Sequence, residues 1–358
     1  MSHFMDIDGS VLEGGGQILR ISMSLSAIFG MPIRVSNIRA GRSKPGLAAQ
    51  HLKGLQLVAD MCGGNLKGAS FGSTEIEFTP GKIKGGHYTA DIQTAGSISL
   101  LLQIALPCAL LADGPVTFEL RGGTNAEMAP QVDYMELVFR PLLHMFKADF
   151  SLNIHRRGYF PKGGGHVTVE VNPVRSFDSV TLSDPGEVTA LRGSSFVAGT
   201  LPLKMAIEMA EGAKNELRAY KIVDIKSYKE DPKIARDNCN GMILWAELSS
   251  GCVLGADALG RRGKDPRTLG AAAGRQLLHA LATGVCLDTH AQDQAILFMA
   301  LASGPSSVKV GEVTLHTKTA MHIAELIGKV KFNVEPDGAN NIISCTGLGF
   351  VNKNIPPE

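Results

Sequence analysis

The chain predicts an α+β (α/β) architecture: a thrice-repeated α-β-α-β-β unit with one smaller α/β domain inserted. Three observations lead there. Apolar spacing alternates between helical and strand periods in the same order in three places. A stretch of about a hundred residues breaks that order and is long enough to fold as its own unit. The bulk composition, 44% apolar and 19% charged over 358 residues, is that of a folded protein with a large core and excludes disorder.

In the first unit a helical pattern runs from Gln17 to Phe29, followed by a strand over Ile33–Ile38, a helix over Leu47–Met61 and strand-like segments ending in Thr74–Thr79. The second unit has a helix over Ser97–Leu111, a strand over Val116–Leu120, a helix over Ala129–Phe146, and strands near Ser151–Ile154 and His166–Val171. In its second helix Val132, Met135, Phe139, Leu142, Leu143 and Phe146 hold one apolar face at three-to-four spacing. The third unit reads as a helix over Asp293–Ala302, a strand over Glu312–Leu315, a helix over Thr319–Val330, and strands over Lys331–Glu335 and Ile342–Cys345. Two helices covering one face of a small sheet make a layered unit, and three such units can share a core or an axis.

Residues 186–286 do not fit the unit. They carry strands over Val188–Arg192, Val223–Tyr228, Met242–Glu247 and Cys252–Asp257, with helices over Pro202–Ala219 and Arg267–Thr283. The polar, glycine-containing Ser183-Asp-Pro-Gly186 precedes them. The expected organisation is a large domain holding units one and two (1–185), an inserted domain (186–286) and unit three of the large domain (287–358).

A formal net charge of +1 gives no global field for long nucleic acid, so an anionic partner must be held by a local cluster. The six cysteines, Cys62, Cys108, Cys239, Cys252, Cys286 and Cys345, lack the short spacing of a zinc knuckle or redox pair. They read as buried free thiols in a reducing compartment. The opening Met-Ser-His-Phe-Met-Asp-Ile-Asp lacks the basic and apolar regions of a secretion signal. The most apolar stretch, Ile98–Ala112, contains Gln103 and Pro107 and is too short to span a bilayer. An intracellular protein is expected.

If the three units are pseudo-symmetric, the loops between the first strand and second helix of each occupy comparable positions. These are Arg39–Pro45, Arg121–Pro130 and His316–Thr319. The first places Arg39, Arg42 and Lys44 just ahead of a helix whose start carries Gln50 and His51. Arginine forks pair with phosphate oxygens, and the free N–H groups of a helix start add partial positive charge. The second supplies a glycine pair and amides, and the third supplies His316. A basic turn, a plain glycine turn and a capping histidine explain each loop alone; together they outline a nucleotide phosphate site. Glu13-Gly14-Gly15-Gly16 precedes the first helix, with Arg20 a turn inside it. Glycines let backbone N–H groups approach an oxyanion, but a carboxylate there repels phosphate unless a divalent cation lies between. Glu13 is therefore the expected metal contact. No Walker sequence, Rossmann fingerprint or Cys/His metal spacing occurs.

These segments together resemble the RNA 3′-terminal phosphate cyclase family over essentially the whole chain, and the eukaryotic members most closely. Asp8-Gly-Ser with Glu13–Arg20, Ile38–Leu47 with Gln50-His51, and Gly122–Asp133 carry the resemblance, with Gly158–Gly165, Gln292-Asp293-Gln294 and Leu315–Thr319 completing it. It implies three units like the C-terminal domain of bacterial translation initiation factor three, plus one inserted smaller domain. It also implies ATP-dependent conversion of an RNA 3′-phosphate to a 2′,3′-cyclic phosphate, through enzyme-histidine-AMP and RNA(3′)pp(5′)A intermediates. ATP and a divalent metal, Mg²⁺ or Mn²⁺, are then required, RNA ending in a 3′-phosphate is the partner, and the nucleus or cytoplasm is the setting.

Carried over by motif, His316 is the nucleophile that becomes AMP-linked, and Glu13 the metal and triphosphate contact. Gln103, Pro130, Asp293 and Gln294 belong to the ATP pocket; Arg20, Arg39, Arg42, Gln50 and His51 hold phosphates. His290 stands where family members often carry an adenine-stacking tyrosine, and its imidazole offers less area for the same contact. Two competing functions are weighed against this one. A non-catalytic relative binding RNA in ribosomal RNA maturation would lack the histidine nucleophile. An enolpyruvyl transferase, built on a similar unit, is usually longer and has no need of an adenylate pocket.

Overall fold

The computed structural model describes residues 4–220 and 223–357. Three of its four sheets repeat one design. The first contains β1 (Met5–Asp8), β2 (Ile33–Ser36), β3 (Asn65–Lys67) and β4 (Ile76–Thr79) in the order β1-β2-β4-β3. The second, β5 (Gly86–Asp91), β6 (Val116–Gly122), β7 (Ser151–Arg156) and β8 (Gly165–Val171), has the order β5-β6-β8-β7. The third, β9 (Thr181–Leu182), β14 (Pro305–Val310), β15 (Phe332–Asp337) and β16 (Asn340–Thr346), runs β9-β14-β16-β15. In each, the first strand pairs parallel with the second and the other pairings are antiparallel.

This corrects the expected unit, which is β-α-β-α-β-β. The leading strands β1, β5 and β9 carry little alternation, and β9 has only two residues. Parallel pairing to a neighbour that lies a helix or more away in sequence defines them, and a local pattern does not register that. Unit three is corrected further. Its inner strand is Pro305–Val310 and not Glu312–Leu315. Thr314 caps the next helix by accepting from the Thr317 N–H, so Leu315 and His316 lie in the first turn of α9 (Leu315–Gly328) rather than in a loop.

Each unit's helices are α1 (Gly16–Phe29) and α2 (Ala49–Cys62); α3 (Ile98–Ala109) and the segment from α4 (Val132–Tyr134) to α5 (Arg140–Met145); and α8 (Ala291–Leu301) and α9. Gly30 and Gly63 end α1 and α2 in the left-handed conformation that stops a helix at low steric cost. The helix expected over Ala129–Phe146 starts at Val132 and passes through a π-helical turn at Met135–Phe139. Helix α8 is buried over its whole length, including Gln292, Asp293 and Gln294. A helix apolar on all sides belongs at the centre of a core, so its polar residues need internal partners.

Between β9 and α8 the chain builds a fourth sheet from β10 (Val188–Ala198), β11 (Val223–Lys229), β12 (Cys239–Leu248) and β13 (Val253–Leu259), in the order β11-β10-β12-β13. Helices α6 (Leu203–Glu216) and α7 (Pro266–Thr283) pack on it. Arg157 holds this sheet to unit two. Its guanidinium forks onto Asp133 at 2.5 and 2.8 Å and reaches Glu230 at 3.1 Å. All six cysteines are free, and all but the half-buried Cys239 are buried. No helix among the described residues is long and apolar enough to cross a membrane.

Candidate active site

A cleft of about 770 Å³ opens where the starts of α1, α2 and α9 meet. Glu13, Arg20, Arg39, Arg42, Gln50, His51 and His316 all line it, so seven of the side chains anticipated from sequence converge. Lys44, in the same basic loop, is exposed and does not line the cleft.

In the glycine turn at the head of α1 the tips of Glu13, Arg42 and His51 occupy the space a side chain would take. A Cβ on Gly15 would lie 2.2 Å from Glu13 Oε1 and 2.7 Å from Arg42 Nη2, and one on Gly16 would lie 2.6 Å from His51 Nε2. These glycines admit the side chains to the backbone. Glu13 Oε1 pairs with Arg42, whose Nη2 also donates to the Glu13 carbonyl at 3.2 Å. Glu13 Oε2 is buried and has no partner among the described residues. The Glu13 N–H donates to Thr319 Oγ1 at 3.2 Å, tying the glycine turn to α9 beside His316. His316 itself is exposed in the first turn of α9. A nucleophile there is accessible, and negative charge developing nearby meets the positive end of the helix dipole.

Arg39 takes a positive φ of 53° and donates to the Gly46 carbonyl at 2.7 Å, which folds the basic loop back on itself. Gln50 accepts from the Ser97 N–H at 3.1 Å, linking α2 to the cap of α3. His51 Nδ1 accepts the Ala48 N–H at 3.2 Å. Burial, followed by the charges of Arg20, Arg39 and Arg42, pushes the His51 imidazolium down to about 3. His51 is therefore neutral in the folded protein at ordinary pH.

The shift carries a pH signature. Because the folded value lies below the ordinary 6.5, the unfolded chain takes up the proton first. This contribution to stability is full above about pH 6.5 and falls as pH drops from there towards about 3, by up to about 1.4 kcal/mol per pH unit. Urea unfolding of the wild type should lose stability more steeply over that window than His51→Gln does. Equal slopes would overturn the assignment.

Behind the cleft, Arg20 Nη2 donates to Gln17 Oε1 at 2.5 Å and Gln17 Nε2 donates to Asp293 Oδ2 at 2.8 Å. This relay joins α1 to α8. Burial raises the Asp293 carboxyl, opposed by His316, Arg20, His290 and the Gln17 hydrogen bond. Gln17, Arg20, Gln103, Asp293 and Gln294 line a narrow recess of about 40 Å³. Gln294 Nε2 donates to the His290 carbonyl at 2.7 Å, while Gln294 Oε1 and Arg20 Nε are buried without partners among the described residues.

Pro130 is buried, and its carbonyl accepts from Ser99 Oγ at 2.5 Å. His290 is half-buried and meets Tyr134 edge-on, with centroids 5.8 Å apart. Neither lines the cleft or the recess.

The second loop departs from expectation. Its amides do not face the cleft: Asn125 Nδ2 donates to Gln131 Oε1 at 2.6 Å, and Gln131 Nε2 donates to the Met242 carbonyl in β12 at 3.1 Å. Glu127, Met128 and Ala129 line the cleft instead. Sequence reasoning also missed Gln17 and Asp288. Asp288 is buried and accepts from Tyr134 Oη at 2.7 Å, Gly255 N at 2.7 Å, His290 N at 2.8 Å and Ala291 N at 3.0 Å. An aspartate just ahead of a helical pattern is a capping signal, and that signal could have identified it. Nothing local marks Gln17.

The family profile described as RNA 3′-terminal phosphate cyclase matches residues 11–334. A Drosophila melanogaster protein named RNA 3′-terminal phosphate cyclase is 41% identical over 356 residues, covering 98% of each chain. Proteins of the same name are 40% identical over 345 residues in Pyrobaculum aerophilum, covering 96% of this chain and 98% of the relative, and 41% identical over 327 residues in Methanopyrus kandleri, covering 90% and 92%. With the match spanning the glycine turn, the basic loop and the start of α9, this chain belongs to the RNA 3′-terminal phosphate cyclase family.

Proposed function

We propose that the protein converts an RNA 3′-phosphate into a 2′,3′-cyclic phosphate at the expense of ATP, with His316 as the group that carries AMP. The observation behind this reading is that an exposed histidine at a helix start faces three arginines across one cleft. The difficulty of the reaction explains that equipment. A phosphate monoester has only oxide to expel, so the neighbouring 2′-hydroxyl cannot close the ring unaided. In the first step the neutral imidazole of His316 attacks the α-phosphorus of ATP and pyrophosphate departs. The phosphoramidate then passes AMP to the RNA 3′-phosphate, giving RNA(3′)pp(5′)A and free histidine. The 2′-hydroxyl finally attacks the activated phosphorus and expels AMP. Arg20, Arg39 and Arg42 offset the charge of the crowded phosphates, and the adjacent hydroxyl supplies its own proximity.

Glu13 fits a divalent ion because one of its buried oxygens has no partner among the described residues. No cluster of three or more His, Cys, Asp or Glu side chains among those residues could enclose a metal. Glu13 would be the protein's contact to Mg²⁺ or Mn²⁺, and the ion would supply positive charge to offset that of the triphosphate. Gln103, Asp293 and Gln294, which line the recess, keep their family-derived assignment to ATP. Pro130 and His290 keep their family-derived assignment to that pocket, with His290 offered as the adenine-stacking ring. Incubation with labelled ATP and metal tests the scheme: the protein acquires acid-labile AMP and passes it to 3′-phosphorylated RNA. A non-catalytic RNA-binding relative would remain unlabelled.

Direct pairing of Glu13 with Arg42 means that these two side chains do not act independently. Single substitutions Glu13→Ala and Arg42→Ala should each slow AMP labelling, and the double variant should fall short of their sum by about 0.5–3 kcal/mol. Arg39→Ala should mainly weaken use of 3′-phosphorylated RNA, by about 1.5–3 kcal/mol for a lost charge-assisted contact. Additive losses in the cycle would break the link between Glu13 and Arg42.

A further inference from the structure

A second groove, of about 710 Å³, lies against the catalytic cleft between unit two and the fourth sheet. Glu127 lines both spaces, so the two adjoin. Met205 and Tyr159 belong to its apolar lining. At the same groove stand Phe160, 78% exposed despite its size, and the cationic run Arg261, Arg262 and Lys264. Arg261 forks onto Glu127 at 2.7 and 2.9 Å and cancels the carboxylate at the divide between groove and cleft. Arg262 and Lys264 have no acidic side chain within ion-pair distance among the described residues. Their charge is uncommitted in a protein whose formal net charge is only +1.

An exposed aromatic face beside uncommitted cations, next to a cleft lined by arginines, is the combination that holds a single nucleic-acid strand. Bases stack on the ring and phosphates meet the cations. A strand whose 3′ end is fixed in the cleft must leave through an open side, and on the Glu127 side the carboxylate is already neutralised. We propose that this groove takes the nucleotides of single-stranded RNA that lie 5′ of the terminal two, with Phe160 as stacking platform and Arg262 and Lys264 as backbone contacts. The inference rests on the proposed RNA chemistry and assigns the fourth sheet a share in holding the substrate.

Binding of a dinucleotide and a decanucleotide, both ending in a 3′-phosphate, can be read by fluorescence anisotropy competition alongside cyclisation. The wild type should bind the longer RNA more tightly. Phe160→Ala should weaken the decanucleotide roughly 5- to 30-fold and leave the dinucleotide unchanged. The double variant Arg262→Ala/Lys264→Ala should flatten the slope of log affinity against log salt by about 1.4, two backbone contacts at about 0.7 each. AMP labelling should be unaffected in both. Equal affinity of the wild type for the two RNAs, or variants whose affinity and salt slope match the wild type, would overturn the groove assignment even if cyclisation proceeds. Length-dependent binding that the variants abolish, without any cyclic product from the wild type, would uphold the groove and overturn the proposed chemistry.

Discussion

His316→Ala is expected to abolish transfer of AMP to the protein, by at least about a thousandfold, the scale seen when a covalent nucleophile is removed. The side chain is exposed in the first turn of α9 and is not one of that helix's buried residues, so the thermal midpoint and circular dichroism should change little. His322, also exposed and on the same helix, supplies the control. It lies six residues further along, about 9 Å down the axis, and does not line the cleft. His322→Ala should label at the wild-type rate. Mass spectrometry of the labelled protein should place AMP on His316. Undiminished labelling of His316→Ala, or label mapped to another residue, would remove His316 from the chemistry.

Asp288→Ala is expected to produce a large stability loss, about 3–5 kcal/mol by urea denaturation. The carboxylate joins three parts of the molecule: Tyr134 of unit two, Gly255 of the fourth sheet, and the first turn of α8 through the His290 and Ala291 N–H groups. Its loss leaves the Tyr134 hydroxyl and the Gly255 N–H buried without partners. Burial, reinforced by the neighbouring Asp288 charge, pushes the Tyr134 phenol upward, so it stays a neutral donor. Tyr134→Phe removes one of four donors and leaves the other three in place, and should cost only about 1 kcal/mol. ATP-dependent labelling should decline with Asp288→Ala, because α8 carries Asp293 and Gln294 into the recess. A loss under about 1 kcal/mol for Asp288→Ala would show that the junction is not structurally important.

Much of the fold was legible because its helices announce themselves. Apolar spacing identified α1, α2, α3 and α9 to within a few residues, and Gly30 and Gly63 stop two of them. Strand assignment was weaker. Local pattern placed the inner strand of unit three at Glu312–Leu315, whereas Pro305–Val310 forms it. Antiparallel pairing of Ser306 to Cys345 and Val308 to Ile343 fixes it there, while the Thr314 cap commits Leu315 and His316 to a helix. The π-helical turn at Met135–Phe139 leaves no trace in an apolar stripe that suits an ordinary helix equally well.

The site divides along the same line. Residue types and their local order determined that arginines stand beside a glycine turn, a combination suited to an anion, since guanidinium forks, free helix-start N–H groups and small residues act over a few positions. Only the tertiary structure decided which charges act together. Glu13 and Arg42 are paired, Arg20 reaches Asp293 through Gln17, and Glu127 is neutralised by Arg261 from 134 positions away. The physical reason is range. Capping and periodicity are properties of neighbouring residues, whereas Coulomb and hydrogen-bond energies depend on distance in space and on burial. Packing three units and a fourth sheet around the fully buried α8 sets both of those.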